Sequence, residues 1–160
     1  MVIILSNKTN AIRMAEKAGI QCKEVFYKYS EDDLSGTHAA KAVGLPERQV
    51  FKTLVTRGVK GGVYVFCIPV CCELDLKKAA RAAGDKKVEM LPLKDLLPTT
   101  GYIRGGCSPI GMKKQYPTYI DESCMEHDFL SVSAGQRGHQ MLLSPKDLLH
   151  ITKAETKDLT

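Results

Sequence analysis

The chain has 160 residues, 44% of them hydrophobic and 26% charged, a balance that predicts one packed domain over residues 1–160 and excludes a disordered chain. No run approaches the ~18 apolar residues of a membrane span, and the opening MVIIL is broken at once by SNKTN, so neither a membrane anchor nor a signal peptide is expected and the predicted location is cytoplasmic. A formal net charge of +5 favours a polyanionic partner without requiring one.

The spacing of Ala11, Ile12, Ala15 and Ala18 predicts a helix over residues 6–18, with Gly19 as its stop. Residues 22–29 alternate, with Val25, Tyr27 and Tyr29 on one side, and read as a strand. The polar SEDDLSG then leads into a short helix over residues 37–43, closed by Gly44. Residues 50–56 and 63–69 are rich in β-formers and are joined by RGVKGG, so they are expected to pair as a hairpin. Asp75 is placed to cap a helix running to Ala83 and ended by Gly84. Lys77, Lys78 and Arg81 lie on one side of that helix.

A further short helix is predicted over residues 93–97, after Pro92, and short strands over residues 119–121, 129–133 and 140–143. Ser144-Pro145-Lys146-Asp147 opens a last helix, with Ser144 as cap and Pro145 in the first position. Because strands and helices do not strictly alternate, the expected class is α+β: a single mixed, barrel-like sheet with flanking helices.

Six cysteines do not read as a disulfide framework in a chain of this length and are expected reduced. Cys67-x-x-x-Cys71 has no second pair of matching type and the four histidines are scattered, so no metal is expected. Three segments break local rules. The apolar strand around Phe51 to Val55 carries Lys52 and Thr53, and a lysine held on a rigid strand can face water or present its ammonium to a phosphate or an oxyanion. GYIRGGCSPIG, residues 101–111, has four glycines; Gly105 and Gly106 make it either a plain connection or a backbone cradle that aims N–H groups at a ligand. SVSAGQRG, residues 131–138, places Ser133 and Arg137 beside glycines at a strand end, as a turn or as a grip on a nucleotide. Neither GxGxxG, a Walker lysine motif nor a GxSxG elbow is present. Cys107 has no histidine near it in sequence to activate it.

Taken together, FKTL, GYIRGGCSPIG and SAGQRG, with LDLKKAARAAGDKKVEM between the first two and SPKDLL near the end, resemble the YbaK/EbsC family over nearly the whole chain from about Gly19. These proteins are free-standing relatives of the bacterial prolyl-tRNA synthetase editing domain. The resemblance implies a barrel-like mixed sheet and a hydrolase that cleaves the ester of mischarged Cys-tRNA(Pro), and of Cys-tRNA(Cys), in trans without a cofactor. It implies that Lys52, Gly105 and Gly106 organise the reactive ester and that Tyr27, Thr53 and Ser133 bind substrate. Arg137 and the Lys77, Lys78, Arg81 patch would hold acceptor-end phosphates. Its implied partners are the aminoacylated acceptor end of tRNA and prolyl-tRNA synthetase. Members of the family are thought to let the substrate's own thiol attack its carbonyl. This sequence departs at Ala134, where a glycine is common, and at Cys107, where an aliphatic residue is common. Two alternatives stay open: deacylation of Ala-tRNA(Pro) or another small aminoacyl-tRNA, and a non-catalytic module that only holds tRNA.

Overall fold

The computed structural model describes residues 8–160, so the start of the first predicted helix at Ser6 lies outside the described residues. Helix α1 covers Asn10–Lys17, where the Thr9 hydroxyl accepts from the Ile12 N–H and Ala11, Ile12 and Ala15 are buried. Strand β1, Lys23–Phe26, is shorter than its alternating pattern suggested, although the Tyr27 N–H still reaches the Gly138 carbonyl at 2.8 Å. The chain then leaves the sheet through a tight turn into α2, Gly36–Val43, capped by the Ser35 hydroxyl and ended by Gly44 at φ 76°. This is the αL stop that a glycine supplies without a Cβ penalty.

Strands β2, Phe51–Gly58, and β3, Val63–Pro69, form the predicted antiparallel hairpin. Helix α3, Leu76–Ala83, is capped by Asp75, whose carboxylate accepts from the Lys77 and Lys78 N–H groups at 2.9 and 3.1 Å. Strand β4, Val88–Met90, has only three residues, too few to display a period, and was not foreseen. Helix α4, Leu93–Thr100, runs past the predicted end at Leu97 despite Pro98, held by the Gly101 N–H on the Leu97 carbonyl and the Thr100 hydroxyl on the Leu96 carbonyl. Next come β5, Thr118–Asp121, β6, Leu130–Gln136, and β7, His139–Leu143. Helix α5, Pro145–Thr152, is capped by Ser144, and a second unforeseen three-residue strand, β8, Glu155–Lys157, follows it.

The strands form two sheets. One is antiparallel, in the order β1-β7-β6; the other is mixed, in the order β4-β2-β3-β5-β8, with β3, β5 and β8 parallel. The parallel β3–β5 pair needs a long crossover, which residues 70–117 provide, glycine-rich segment included. A parallel bridge between Val50 and Ser131 joins the sheets, and Phe51, Cys67, Ile120, Val132, Met141 and Leu148 share the core between them. The sheet is mixed and flanked by helices as expected, yet among the described residues it does not close into a barrel. A second core of Phe66, Ile68, Val88 and Leu159 seats the alanine face of α3.

Asp85 is a buried carboxylate with several donors: the Tyr64 hydroxyl at 2.9 Å and the N–H groups of Lys86, Lys87 and Lys60 at 2.7, 3.4 and 3.4 Å. Burial pushes its pKa up, but the Tyr64 bond and the backbone donors outweigh burial and hold it below the ordinary value. A depressed folded-state pKa stabilises above the unfolded value of about 3.9 and loses that contribution as pH falls through the folded pKa. Asp85→Asn is therefore expected to lower the urea midpoint at neutral pH and to lose less on acidification than wild type, which unfolding curves at pH 7 and in acid will check.

Candidate active site

Where the two sheets meet, a cavity of about 490 Å³ opens, within the range of small-ligand pockets. Its walls come from Tyr27 after β1, Leu34 to Thr37 at the start of α2, Val50 to Val55 along β2, Val70 after β3, Met90 to Leu96 around α4, Arg104, Gly105 and Cys107 of the glycine-rich segment, and Ser133 and Gln140 of the three-stranded sheet. Lys52, Thr53, Tyr27, Gly105 and Ser133 thus share one cavity although they are spread over more than a hundred residues of sequence.

Lys52 and Thr53 sit half-buried on β2, the central hairpin strand, and Thr53 Oγ1 lies 3.8 Å from Cys67 Sγ. No carboxylate lies within salt-bridge distance of the Lys52 ammonium among the described residues. Across the cavity Ser133 precedes the irregularity in the β6–β7 pairing, and its Oγ accepts from the Gly135 N–H at 3.2 Å. A hydroxyl that accepts one such bond keeps its own proton to donate. The Tyr27 hydroxyl is held above its ordinary pKa by burial, against hydrogen bonds from the Gln140 side chain and the Gly138 backbone. Gln140 in turn accepts from the Ser131 hydroxyl at 2.7 Å.

The two glycines of the predicted cradle do different things. Residues 103–106 form a turn closed by the Gly106 N–H on the Ile103 carbonyl at 2.9 Å, with Gly105 third at φ 85°, as a type II turn requires. Gly105 lines the cavity, whereas the Gly106 N–H is spent in this turn and Gly106 does not line it. What Gly106 supplies is closeness: a Cβ there would stand 2.9 Å from both Cα and C of Gln136. Arg137 also lies outside the cavity, beside a smaller pocket next to Tyr27 and Gly105; its Nε donates to the Arg104 carbonyl at 2.9 Å and its Nη1 lies 3.8 Å from Glu31. Lys77, Lys78 and Arg81 ride on α3 and do not line the cavity, and Lys78 is paired with Asp158 at 3.0 Å.

Several wall residues were not read from the sequence. Ser35, Gly36 and Thr37 were taken for a loop and a plain helix start, and Gly36 is needed because a Cβ there would overlap Val70. Arg104 brings a second cation, and Met90, Leu91, Leu93 and Leu96 an apolar side. Among the described residues lining the cavity there is no Asp, Glu or His. Burial pushes the Cys107 thiol up to about 12, against a hydrogen bond with Thr100, so it stays protonated at neutral pH and is a poor nucleophile.

A family model for the aminoacyl-tRNA editing domain matches residues 35–151, from the Ser35 wall into the last helix. Over 153 residues the chain is 52% identical to EbsC of Enterococcus faecalis, named as a candidate Cys-tRNA(Pro)/Cys-tRNA(Cys) deacylase, with 96% of this chain and 93% of that protein covered. Among solved structures, a candidate trans-editing enzyme for prolyl-tRNA synthetase is similar at a TM-score of 0.81 and 28% identity, over 98% of each chain. Hypothetical protein APE2540 is similar in fold, at a TM-score of 0.86 and 21% identity, over 94% of this chain and 99% of that one. The matched segment contains all of the cavity wall except Tyr27 and Leu34, and on that extent the chain belongs to the aminoacyl-tRNA editing domain family.

Proposed function

We propose that this chain hydrolyses the ester of cysteinyl-tRNA in trans, with Cys-tRNA(Pro) as its main substrate and Cys-tRNA(Cys) as a second. The observation that carries the reading is the make-up of the cavity: cations and hydrogen-bond donors, a protonated thiol, and no carboxylate or imidazole to act as base. Such a site suits a reaction whose nucleophile arrives on the substrate. The high identity to EbsC supports cysteine as the amino acid.

In this mechanism the cysteinyl thiol attacks its own ester carbonyl. A carbon–sulfur bond forms, the bond to the ribose oxygen breaks, and that oxygen leaves with the proton given up by the thiol. Water then opens the resulting thiolactone. Lys52 stabilises the oxyanion and the adjoining phosphate region, the Gly105 N–H points at the carbonyl, and the Ser133 hydroxyl orients the substrate. The Gly105 N–H is held by its turn and the Ser133 hydroxyl by its bond from Gly135 before substrate binds, so these two need little reorganisation as charge develops. Thr53 and Tyr27 shape the amino-acid end. The cavity exceeds a cysteinyl group, which leaves its apolar side, Met90 to Leu96, for the terminal adenosine. Gly106 serves by holding the cradle against the Gln136 turn, and Arg137 by tying that turn to Arg104. Lys77 and Arg81, exposed on α3, are the basic groups left to meet the more distant tRNA backbone, with salt-sensitive affinity. The reading places the protein in the cytoplasm beside prolyl-tRNA synthetase. That enzyme cannot strongly reject an amino acid of nearly proline's size, since so small a difference is worth about 1–3 kcal/mol.

The decisive measurement is a deacylation panel on tRNA carrying cysteine, alanine or serine. Cysteine is expected to be released fastest and alanine at close to the uncatalysed rate; equal release of alanine would overturn the substrate-thiol mechanism. Lys52→Ala is expected to lower kcat/KM for Cys-tRNA(Pro) by about 10²–10³-fold, the usual cost of losing one preorganised oxyanion partner, while circular dichroism stays unchanged. Cys107→Ala is expected to keep most of the activity, and iodoacetamide at neutral pH to label exposed Cys71 well before Cys107, read by peptide mass mapping.

A further inference from the structure

One pair of nucleophilic side chains has no part in this reaction. Cys71 and Cys72 follow β3 in a turn closed by the Cys72 N–H on the Pro69 carbonyl at 3.0 Å, and their sulfurs lie 3.8 Å apart. Cys71 is exposed and Cys72 half-buried, so the pair is open to solvent, unlike the fully buried Cys67 and Cys124. The turn is pinned to the start of β2 by the Val70 N–H on the Val50 carbonyl at 2.8 Å. Burial, the neighbouring Cys71 thiol and the Asp121 carboxylate hold the Cys72 thiol above its ordinary pKa, and the Lys52 ammonium pulls the other way.

Adjacent residues have Cα atoms about 3.8 Å apart across a trans peptide, below the usual ~4.4–6.8 Å of a disulfide, so a direct bond between these sulfurs is strained and easily reduced. A bridging atom removes that difficulty. A pyramidal trivalent centre with bonds of about 2.3 Å to sulfur and an angle of about 100° spans roughly 3.5 Å between its two sulfurs, which the pair, 3.8 Å apart here, reaches by a small side-chain rotation. Among the described residues no third His, Cys, Asp or Glu completes a metal cage, so the pair suits a soft centre that needs only two ligands from the protein.

We propose that Cys71 and Cys72 form a chelating dithiol site for a thiophilic centre with two exchangeable bonds, a monosubstituted trivalent arsenical being the class, and that its occupancy disturbs the adjoining cavity wall. In the reaction two arsenic–sulfur bonds form, the arsenic–oxygen bond and both S–H bonds break, and the oxygen leaves with the two protons as water; no atom changes oxidation state. The link to the cavity runs through Val70, the residue before the pair. Val70 lines the cavity and touches Gly36 so closely that no Cβ fits between them, so a shift of the turn moves the start of α2 and the Ser35 to Thr37 wall. This link rests on the deacylase reading; the binding site does not.

Phenylarsine oxide at one equivalent tests both parts. Intact mass and thiol titration of wild type are expected to show one adduct and the loss of two free thiols, reversed by 2,3-dimercaptopropanol and not by an excess of a monothiol. Cys71→Ser and Cys72→Ser are expected to lose the stable adduct, and Cys107→Ser to keep it. No adduct on wild type, or an adduct retained by both variants, overturns the site. Loaded wild type is expected to lose most of its Cys-tRNA(Pro) hydrolysis while treated Cys71→Ser keeps its own; full activity of the loaded protein overturns the link to the cavity. Mass and thiol readouts decide the site even if the unloaded protein hydrolyses no ester, a result that counts against the deacylase reading alone.

Discussion

The site depends on a close approach of two backbones. Gly106 packs against the Gln136–Arg137 turn with no room for a side chain, and the Arg137 guanidinium fastens the same turn to the Arg104 carbonyl. That contact fixes the glycine-rich crossover against the irregular end of β6, and so sets Gly105 and Ser133 on the same cavity as Lys52. Tyr102 fills the space behind it, with its hydroxyl on the Ile110 carbonyl at 2.6 Å and its ring where a Cβ on Gly135 would fall. Small residues on both sides allow the approach, and a buried aromatic makes it rigid.

A second constraint comes from where the cavity lies. At the junction of two sheets it draws walls from both, with Lys52 and Thr53 paired to Ile68 and Cys67 of β3 and lying just past the Val50–Ser131 bridge between the sheets. Burial also sets the chemistry of the sulfur groups. Cys67 and Cys107 are both driven up to about 12, which keeps the protein's own thiols out of the reaction and leaves the cavity to donors and cations. A site of that kind stabilises developing negative charge.

Much of the fold was legible because its signals are local. Asp75 and Gly84 bound α3, Gly44 ends α2, and the glycines of RGVKGG join β2 to β3, each through a hydrogen bond or a φ value set within a few residues. Strands β4 and β8 were missed since three residues show no period and exist only as edges of a sheet made elsewhere. Helix α4 runs past the expected end at residue 97 and through Pro98, because the Thr100 hydroxyl and the Gly101 N–H bond back to the Leu96 and Leu97 carbonyls.

The sequence by itself determined the class of elements, their order, the family, and the residues Lys52, Thr53, Gly105 and Ser133 as members of one site. The elements and their order rest on residue types at short spacings; the family and the grouping of these residues rest on the resemblance of three separated motifs. Only the tertiary structure decided that the sheet divides in two, that Arg137 and the α3 lysines stand away from the cavity, and that Ser35 to Thr37, Arg104 and Met90 to Leu96 complete its walls. It also divided the glycine pair, giving Gly105 to the cavity and Gly106 to packing. The reason is physical: the turn that spends the Gly106 N–H is local, but whether a glycine there meets a ligand or a neighbouring backbone depends on Gln136, thirty residues away in the chain, which local sequence does not encode.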